Sequence, residues 1–191
     1  MRNLVVFLLG IAIGVFQTGC APVLVGAGVS ATAIIADDRR TSGAMLEDKT
    51  IEIKAQKLIA ENLGEKNQAV KVHSYNRYTL LVGQVDDEQK KIDAEDLTME
   101  VSNVREVQNE IEVAGQPSLM SRQNDGFLKA RVVARLVKDK KISSNHIKVI
   151  TSSGIVYLMG LVTNDEGNYA AKVSARTEGV KKVVTVFEYI D

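Results

Sequence analysis

Past residue 46 the spacing of apolar residues switches between a helical and a strand period, and it does so twice in the same order. Ile51, Ala55 and Ile59 fall at i, i+4 and i+8, one stripe of a helix, which predicts a helix from about Lys49 to Glu61 with Asp48 as its N-cap. Val70 to Val72 and Tyr78 to Val85 are β-branched, aromatic or aliphatic runs either side of Ser74-Tyr75-Asn76-Arg77, which predicts a hairpin. A second helix starts near Asp87 and stops before Asn103, a residue that tolerates the left-handed backbone of a helix end. Val107 to Val113 is a final strand.

The second round repeats each step. Leu128, Val132 and Leu136 mark a helix from about Gly126 to Lys138, with Asp125 as N-cap. Ile147 to Ile150 and Ile155 to Val162 flank Ser152-Ser153-Gly154. Thr163 and Glu166 form a capping box at the start of the next helix, Gly179 sits past its end, and Val183 to Ile190 closes the unit. Gly83 in YTLLVGQV and Gly160 in IVYLMGLV lie 77 residues apart, the offset that also places Ile51 on Leu128 and Val72 on Val149. The fold class is therefore α+β: two tandem units, each helix-strand-strand-helix-strand, with a three-stranded mixed sheet packed on two helices. The units occupy 47–114 and 125–191, joined by a linker over 115–124.

Ahead of them, Arg2 followed by the uncharged run Leu4 to Phe16 is too short to span a bilayer and reads as a secretory signal, residues 1–19. Gln17-Thr18-Gly19-Cys20 resembles a bacterial lipobox, in which the cysteine is acylated, with chains such as palmitate, and becomes the first residue of the mature protein. Gln17 departs from the aliphatic residue usual at that place. Cys20 is the only cysteine, so no intrachain disulfide is possible, and lipidation would consume it. Several acyl chains, at ~0.8 kcal/mol per buried methylene, make such an anchor effectively permanent. Ala21 in place of Asp favours the outer membrane. Residues 20–46 then form a lipidated, membrane-proximal tether, with Pro22, Gly26 and Gly28 interrupting its apolar stretch and Asp37 to Gly43 marking the passage into water.

With 191 residues, 24 basic and 24 acidic, the chain has no global charge to attract nucleic acid, and any electrostatic role falls to local patches. Catalytic chemistry is poorly represented. His73 and His146 do not match in the repeat and read as surface or edge histidines. No cluster has metal-ligand spacing, no nucleophile motif stands out, and Gly83 and Gly160 sit inside strands, where they mark a close backbone approach rather than a phosphate loop. The expectation is a protein without enzymatic activity, cofactor, metal or nucleic-acid partner.

The glycine-containing strands, the unit endings NVREVQNEIEV and GVKKVVTVFEYI, the connecting AGQPSLMSRQN and the lipobox in front together resemble the dual BON-domain outer-membrane lipoproteins, the division- and outer-membrane-stress-associated lipid-binding family. That resemblance implies a non-enzymatic envelope protein, anchored in the outer membrane and facing the periplasm. It also implies binding of anionic phospholipid, enrichment at the division septum, support of envelope integrity, and a lipid-contacting role for the first helix of the second domain.

The residues of that helix favour lipid on their own account. Beyond its core stripe, it carries Phe127, Ala130, Ala134 and Val137, and its charges are Lys129, Arg131, Arg135, Lys138, Lys140 and Lys141 against Asp139 alone. The first unit mixes both signs at the same place. A cationic helix with a spare apolar stripe suits an anionic, phosphatidylglycerol-like bilayer surface, each basic residue contributing about 1 kcal/mol near charged lipid. The candidate lipid-contact set is Phe127, Leu128, Lys129, Ala130, Arg131, Ala134, Arg135, Val137, Lys138 and Lys141, although Leu128 also belongs to the core stripe. Two alternatives stay open. The spare stripe packs against the first unit and the cations form a solvated face, or a protein-binding scaffold for an outer-membrane assembly machine uses the same helix or the apolar last strand. Val184, Val186 and Ile190 give the last strand an apolar outer face where the first unit has Gln108 and Glu110, so something covers it, and an interface between the units would leave the helix free.

Overall fold

Each unit is organised around a hairpin whose tight turn is tied to the helix before it. The computed structural model describes residues 38–64, 69–115, 117–138 and 142–191. In the first unit, α1 (Ser42–Leu63) leads into β1 (Lys71–Tyr75), β2 (Tyr78–Val85), α2 (Glu88–Met99) and β3 (Glu106–Val113). In the second, α3 (Leu119–Lys138) and a 3-10 turn (Ser144–His146) precede β4 (Ile147–Ser152), β5 (Ile155–Val162), α4 (Asn164–Ala175) and β6 (Lys182–Tyr189). Each sheet is mixed. β2 pairs antiparallel with β1 and parallel with β3, and β5 pairs likewise with β4 and β6.

Helix starts depart most from the sequence reading. Asp48 and Asp125 do not cap helices; both lie inside them. Thr41 caps α1, its hydroxyl accepting from the Ala44 amide at 3.1 Å. Ser118 plays that part for α3, accepting from the Ser121 amide at 3.1 Å. The expected linker over 115–124 is thus helical from Leu119 onward, and the expected tether gives way to helix at Ser42.

The two aspartates hold the hairpins instead. Asn76 and Arg77 both have positive φ, 50° and 67°, and their amides point inward to the Asp48 carboxylate at 2.8 and 2.7 Å. Ser153 and Gly154, with φ of 54° and 81°, donate to Asp125 at 2.9 and 2.8 Å. These are two-residue turns whose φ > 0 geometry suits the strand twist. The carboxylate supplies acceptors for amides that the turn leaves without strand partners.

Other local readings match. Asp87 caps α2, and Thr163 with Glu166 forms the capping box of α4. Asn103 and Gly179 adopt φ of 70° and 90° past the helix ends. A Cβ on Gly83 or on Gly160 would overlap the carbonyl oxygen of Ala69 or of His146, the close approach expected of a glycine within a strand.

One face of each sheet packs on its helices. Ile51, Ala55, Ile59 and Ala94 meet Val72, Leu81, Val85 and Ile111 in the first unit; Leu128, Val132, Leu136 and Ala170 meet Val149, Val156, Leu158 and Val162 in the second. The opposite faces pack on each other. Tyr75, Leu80 and Val82 join Ile150, Tyr157 and Met159 in a third core, with Val184 and Val186 against its edge. The apolar face of the last strand is therefore covered by the sister unit, while Ile190 beyond it stays half exposed. Four layers result: helices, sheet, sheet, helices.

Polar contacts ring this third core. Lys148 Nζ donates to Glu52 at 2.5 Å and to the Ser74 carbonyl at 3.1 Å. Asn76 and Arg105 reach Glu188, and Tyr75 donates its hydroxyl to the His146 carbonyl. The segment ahead of α1 closes the seam. Arg39 makes a two-pronged pair with Glu166 at 2.7 and 2.9 Å, while Arg40 lies over the Tyr75 ring and bonds Asp38 and Asp48. Of the two histidines read as surface or edge residues, His73 lies on the edge strand β1 and His146 just ahead of β4. Both are partly buried along the seam, His73 on the face of β1 that meets the second unit and His146 at the end of the 3-10 turn, where its carbonyl accepts from Tyr75.

Candidate membrane-contact site

The helix α3 buries one stripe and leaves another in solvent. Leu128, Val132 and Leu136 are at most 3% exposed, whereas Phe127 is 68% and Val137 58% exposed. The sister unit does not cover the spare stripe, because the units meet through their sheets and not through α3. Leu128 is a correction to the candidate set: it faces the core and has no surface to offer a ligand. Ala130, Arg131, Ala134 and Lys138 are exposed. At 3.6 residues per turn, Phe127, Ala134, Arg131 and Lys138 share one side, with Ala130 and Val137 adjacent.

Two basic residues go elsewhere. Arg135 is exposed, but its guanidinium donates to the Arg176 carbonyl at 2.6 Å, where it satisfies the C-terminal end of α4. Lys129 stands two residues from both Phe127 and Arg131, a spacing that does not share a face. It belongs to the opposite flank with Arg122 and Asp125.

The early start of α3 adds residues that sequence reasoning passed over. Leu119 and Met120 are 77% and 66% exposed, and Met120, Phe127 and Ala134 recur every seven residues along the same side. The apolar spacing of Met120 to Phe127 is a signal for this, overridden in the sequence by Asp125, whose place ahead of the apolar run reads as an N-cap. Gly126 is tolerated here at a cost of about 1 kcal/mol relative to Ala. Lys141 and Cys20, with the signal and most of the tether, lie outside the described residues.

Across its length α3 carries five cations, Arg122, Lys129, Arg131, Arg135 and Lys138, against one acid, Asp125, whose carboxylate is taken up by the hairpin amides. The outward stripe is thus apolar with a cationic border, an arrangement fit to lie in a headgroup plane. No group of three or more His, Cys, Asp or Glu among the described residues is placed to hold a metal ion. No helix among them is long and apolar enough to cross a membrane.

The BON-domain model matches this chain twice, over residues 47–115 and 124–191. The outer membrane lipoprotein DolP of Haemophilus influenzae is 35% identical over 178 residues, covering 93% of this chain and 92% of that protein. The chain belongs to the family of dual BON-domain outer-membrane lipoproteins. A 21 kDa hemolysin of Actinobacillus pleuropneumoniae is 26% identical over 80% of this chain and 79% of its own length. The osmotically-inducible protein Y of Escherichia coli is 24% identical over 74% of this chain and 72% of its own. Among solved structures, the C-terminal domain of CdsD of the Chlamydia trachomatis type III secretion system aligns over 75% of this chain and 67% of that one. At 13% identity and a TM-score of 0.30, that likeness is too loose to carry a structural argument. Within the BON family frame, each family match falls on one helix-sheet unit of the four-layer body.

Proposed function

We propose that this protein is a non-enzymatic lipoprotein, anchored through Cys20 in the outer membrane and facing the periplasm, whose α3 binds anionic phospholipid of the phosphatidylglycerol type. In this role it supports outer-membrane integrity and acts at the division site. The observation that carries the reading is the exposure of Phe127, Met120 and Val137 beside Arg131 and Lys138 on a helix whose core stripe is already filled. Phe127 and Met120 enter the acyl boundary, and the two cations meet lipid phosphates at about 1 kcal/mol each. The 35% identity to an outer membrane lipoprotein over nearly the whole chain supports the location.

The second reading, a scaffold for an envelope assembly machine, loses one of its two surfaces, since the last strand is occupied by the sister unit. It keeps the other, α3 itself. Flotation of the unlipidated form on neutral liposomes, with and without phosphatidylglycerol, separates the two. The lipid reading expects binding only with phosphatidylglycerol, weakened more than tenfold by Arg131→Glu with Lys138→Glu and by Phe127→Asp. Equal, weak binding to both liposomes would leave the scaffold reading in possession.

A further inference from the structure

The two units meet with a local two-fold logic. The repeat offset of 77 relates Leu80 to Tyr157 and Val82 to Met159, and all four lie in the shared core. The same offset relates Glu52 to Lys129 and Lys148 to Lys71. On one side of the seam, Lys148 of the second unit is neutralised by Glu52 of the first at 2.5 Å. The equivalent place on the other side holds Lys71 and Lys129, two cations. Among the described residues neither has an ion pair. Both act on His73: its burial, then Lys148, and then Lys129 and Lys71 against the pull of Glu52, push the imidazole down to about 4.

A cleft of about 250 Å³ opens on that side. Lys71, Gly83 and Gln84 of the first unit form one wall, and Arg122, Asp125 and Ser152 of the second form the other. Arg122 and Lys129 stand seven residues apart on the same flank of α3. Asp125 turns its carboxylate to the Ser153 and Gly154 amides, which orients it towards the hairpin while it keeps its charge. The cleft wall thus sets Lys71 and Arg122, with Lys129 on the same flank, against the single charge of Asp125, an excess of exposed positive charge that attracts an anion. Gln84 adds a second feature. Its Nε2 donates to Glu112 at 3.3 Å and to Ser153 at 3.2 Å, which fixes the amide orientation and leaves Oε1 buried with no donor. A buried carbonyl oxygen of this kind calls for a hydroxyl or amine.

We propose that this cleft binds a phosphate ester bearing a hydroxylated head group, with the phosphate between Lys71 and Arg122, Lys129 at its rim, and a head-group hydroxyl donating to Gln84 Oε1. The ligand comes from a lipid head group or from a free phosphate ester. The first source rests on the lipid reading of α3, whose apolar stripe runs along the other side of the same helix. In either case the first unit, which the lipid reading leaves idle, contributes to recognition.

The test uses the full chain, held by its own anchor in phosphatidylcholine nanodiscs and titrated with glycerophosphoglycerol, inorganic phosphate or glycerol by calorimetry. Glycerophosphoglycerol is expected to bind, and Lys71→Glu and Arg122→Glu each to weaken it at least about tenfold, since each removes a charge-assisted hydrogen bond and sets a carboxylate against the phosphate. Lys182→Glu, an exposed cation on β6, serves as the control and leaves the affinity unchanged. Unchanged affinity in Lys71→Glu overturns the site. Inorganic phosphate binding as tightly as glycerophosphoglycerol, with Gln84→Leu silent, overturns the hydroxyl contact. A second arm measures the preference of the unlipidated form for phosphatidylglycerol vesicles. A preference reduced by Lys71→Glu supports the lipid source; a preference kept while glycerophosphoglycerol binding is lost supports the free ester. If Arg131→Glu abolishes vesicle binding and Lys71→Glu changes neither assay, the α3 reading survives and the cleft proposal falls.

Discussion

Replacing Asp48 by Ala removes a carboxylate that is 3% exposed and accepts four hydrogen bonds: from Ser74 Oγ at 2.7 Å, the Asn76 and Arg77 amides at 2.8 and 2.7 Å, and Arg40 at 2.9 Å. Bonds to a charged acceptor contribute roughly 1.5–3 kcal/mol each, but they share one group and do not add. The better guide is the cost of removing one side of a buried charged cluster, about 3–5 kcal/mol. Arg40 retains Asp38, which limits the loss, whereas the two turn amides are left facing a methyl group. We expect Asp48→Ala to cost about 3–5 kcal/mol, a large share of the ~5–15 kcal/mol that holds an ordinary domain together. Asp125→Ala, which frees only two amides at a half-exposed turn, should cost about 1–2 kcal/mol. Urea unfolding followed by far-ultraviolet circular dichroism gives both numbers, provided the slope with denaturant is unchanged. Hydrogen exchange at Asn76 and Arg77 then locates the loss. A cost under ~1 kcal/mol for Asp48→Ala, or equal costs for both variants, would refute the hairpin-clamp account.

Other expectations are as direct. Gly160→Ala and Gly83→Ala should each lower the urea midpoint markedly, Gly83→Ala more, because its φ of 132° adds backbone strain to the overlap with a carbonyl. Met159→Ala opens a cavity in the fully buried core between the sheets and should cost about 2–5 kcal/mol, seen as earlier unfolding of both units together. The Arg39 guanidinium, helped by the Thr163 amide, holds the Glu166 carboxyl down at about 2. Its unfolded value is near 4.5, so the stabilisation is complete above about pH 5 and disappears as pH falls towards 2. Glu166→Gln should flatten that limb of the melting-temperature profile. Phe127→Ser, at an exposed site, should leave stability within about 0.5 kcal/mol of wild type.

Periodicity alone exposed the element order, since each helix and strand carries a strong apolar stripe and local punctuation. The Asp87 cap, the Thr163 and Glu166 box, and the left-handed Asn103 and Gly179 were legible because their partners lie within three or four residues. Asp48 and Asp125 misled for the converse reason. An aspartate just ahead of an apolar run looks like a cap, and only the fold brings it to a turn 28 or 29 residues away. The outward stripe of α3 could be read from Phe127 and Val137. That Leu128 and Lys129 are not part of it follows from helix geometry once the core stripe is fixed. The cationic cleft could not be read, because Lys71 and Arg122 sit 51 residues apart and meet only through the packing of two sheets.

Back-to-back sheets send the two helix pairs to opposite poles of the body. In the proposed docking of α3 on a bilayer, α1 and α2, which carry Leu46, Ile53 and Ile92 in solvent, look the other way. On that proposal a ligand at one pole leaves the other unobstructed, and occupation of the two poles needs no competition between them.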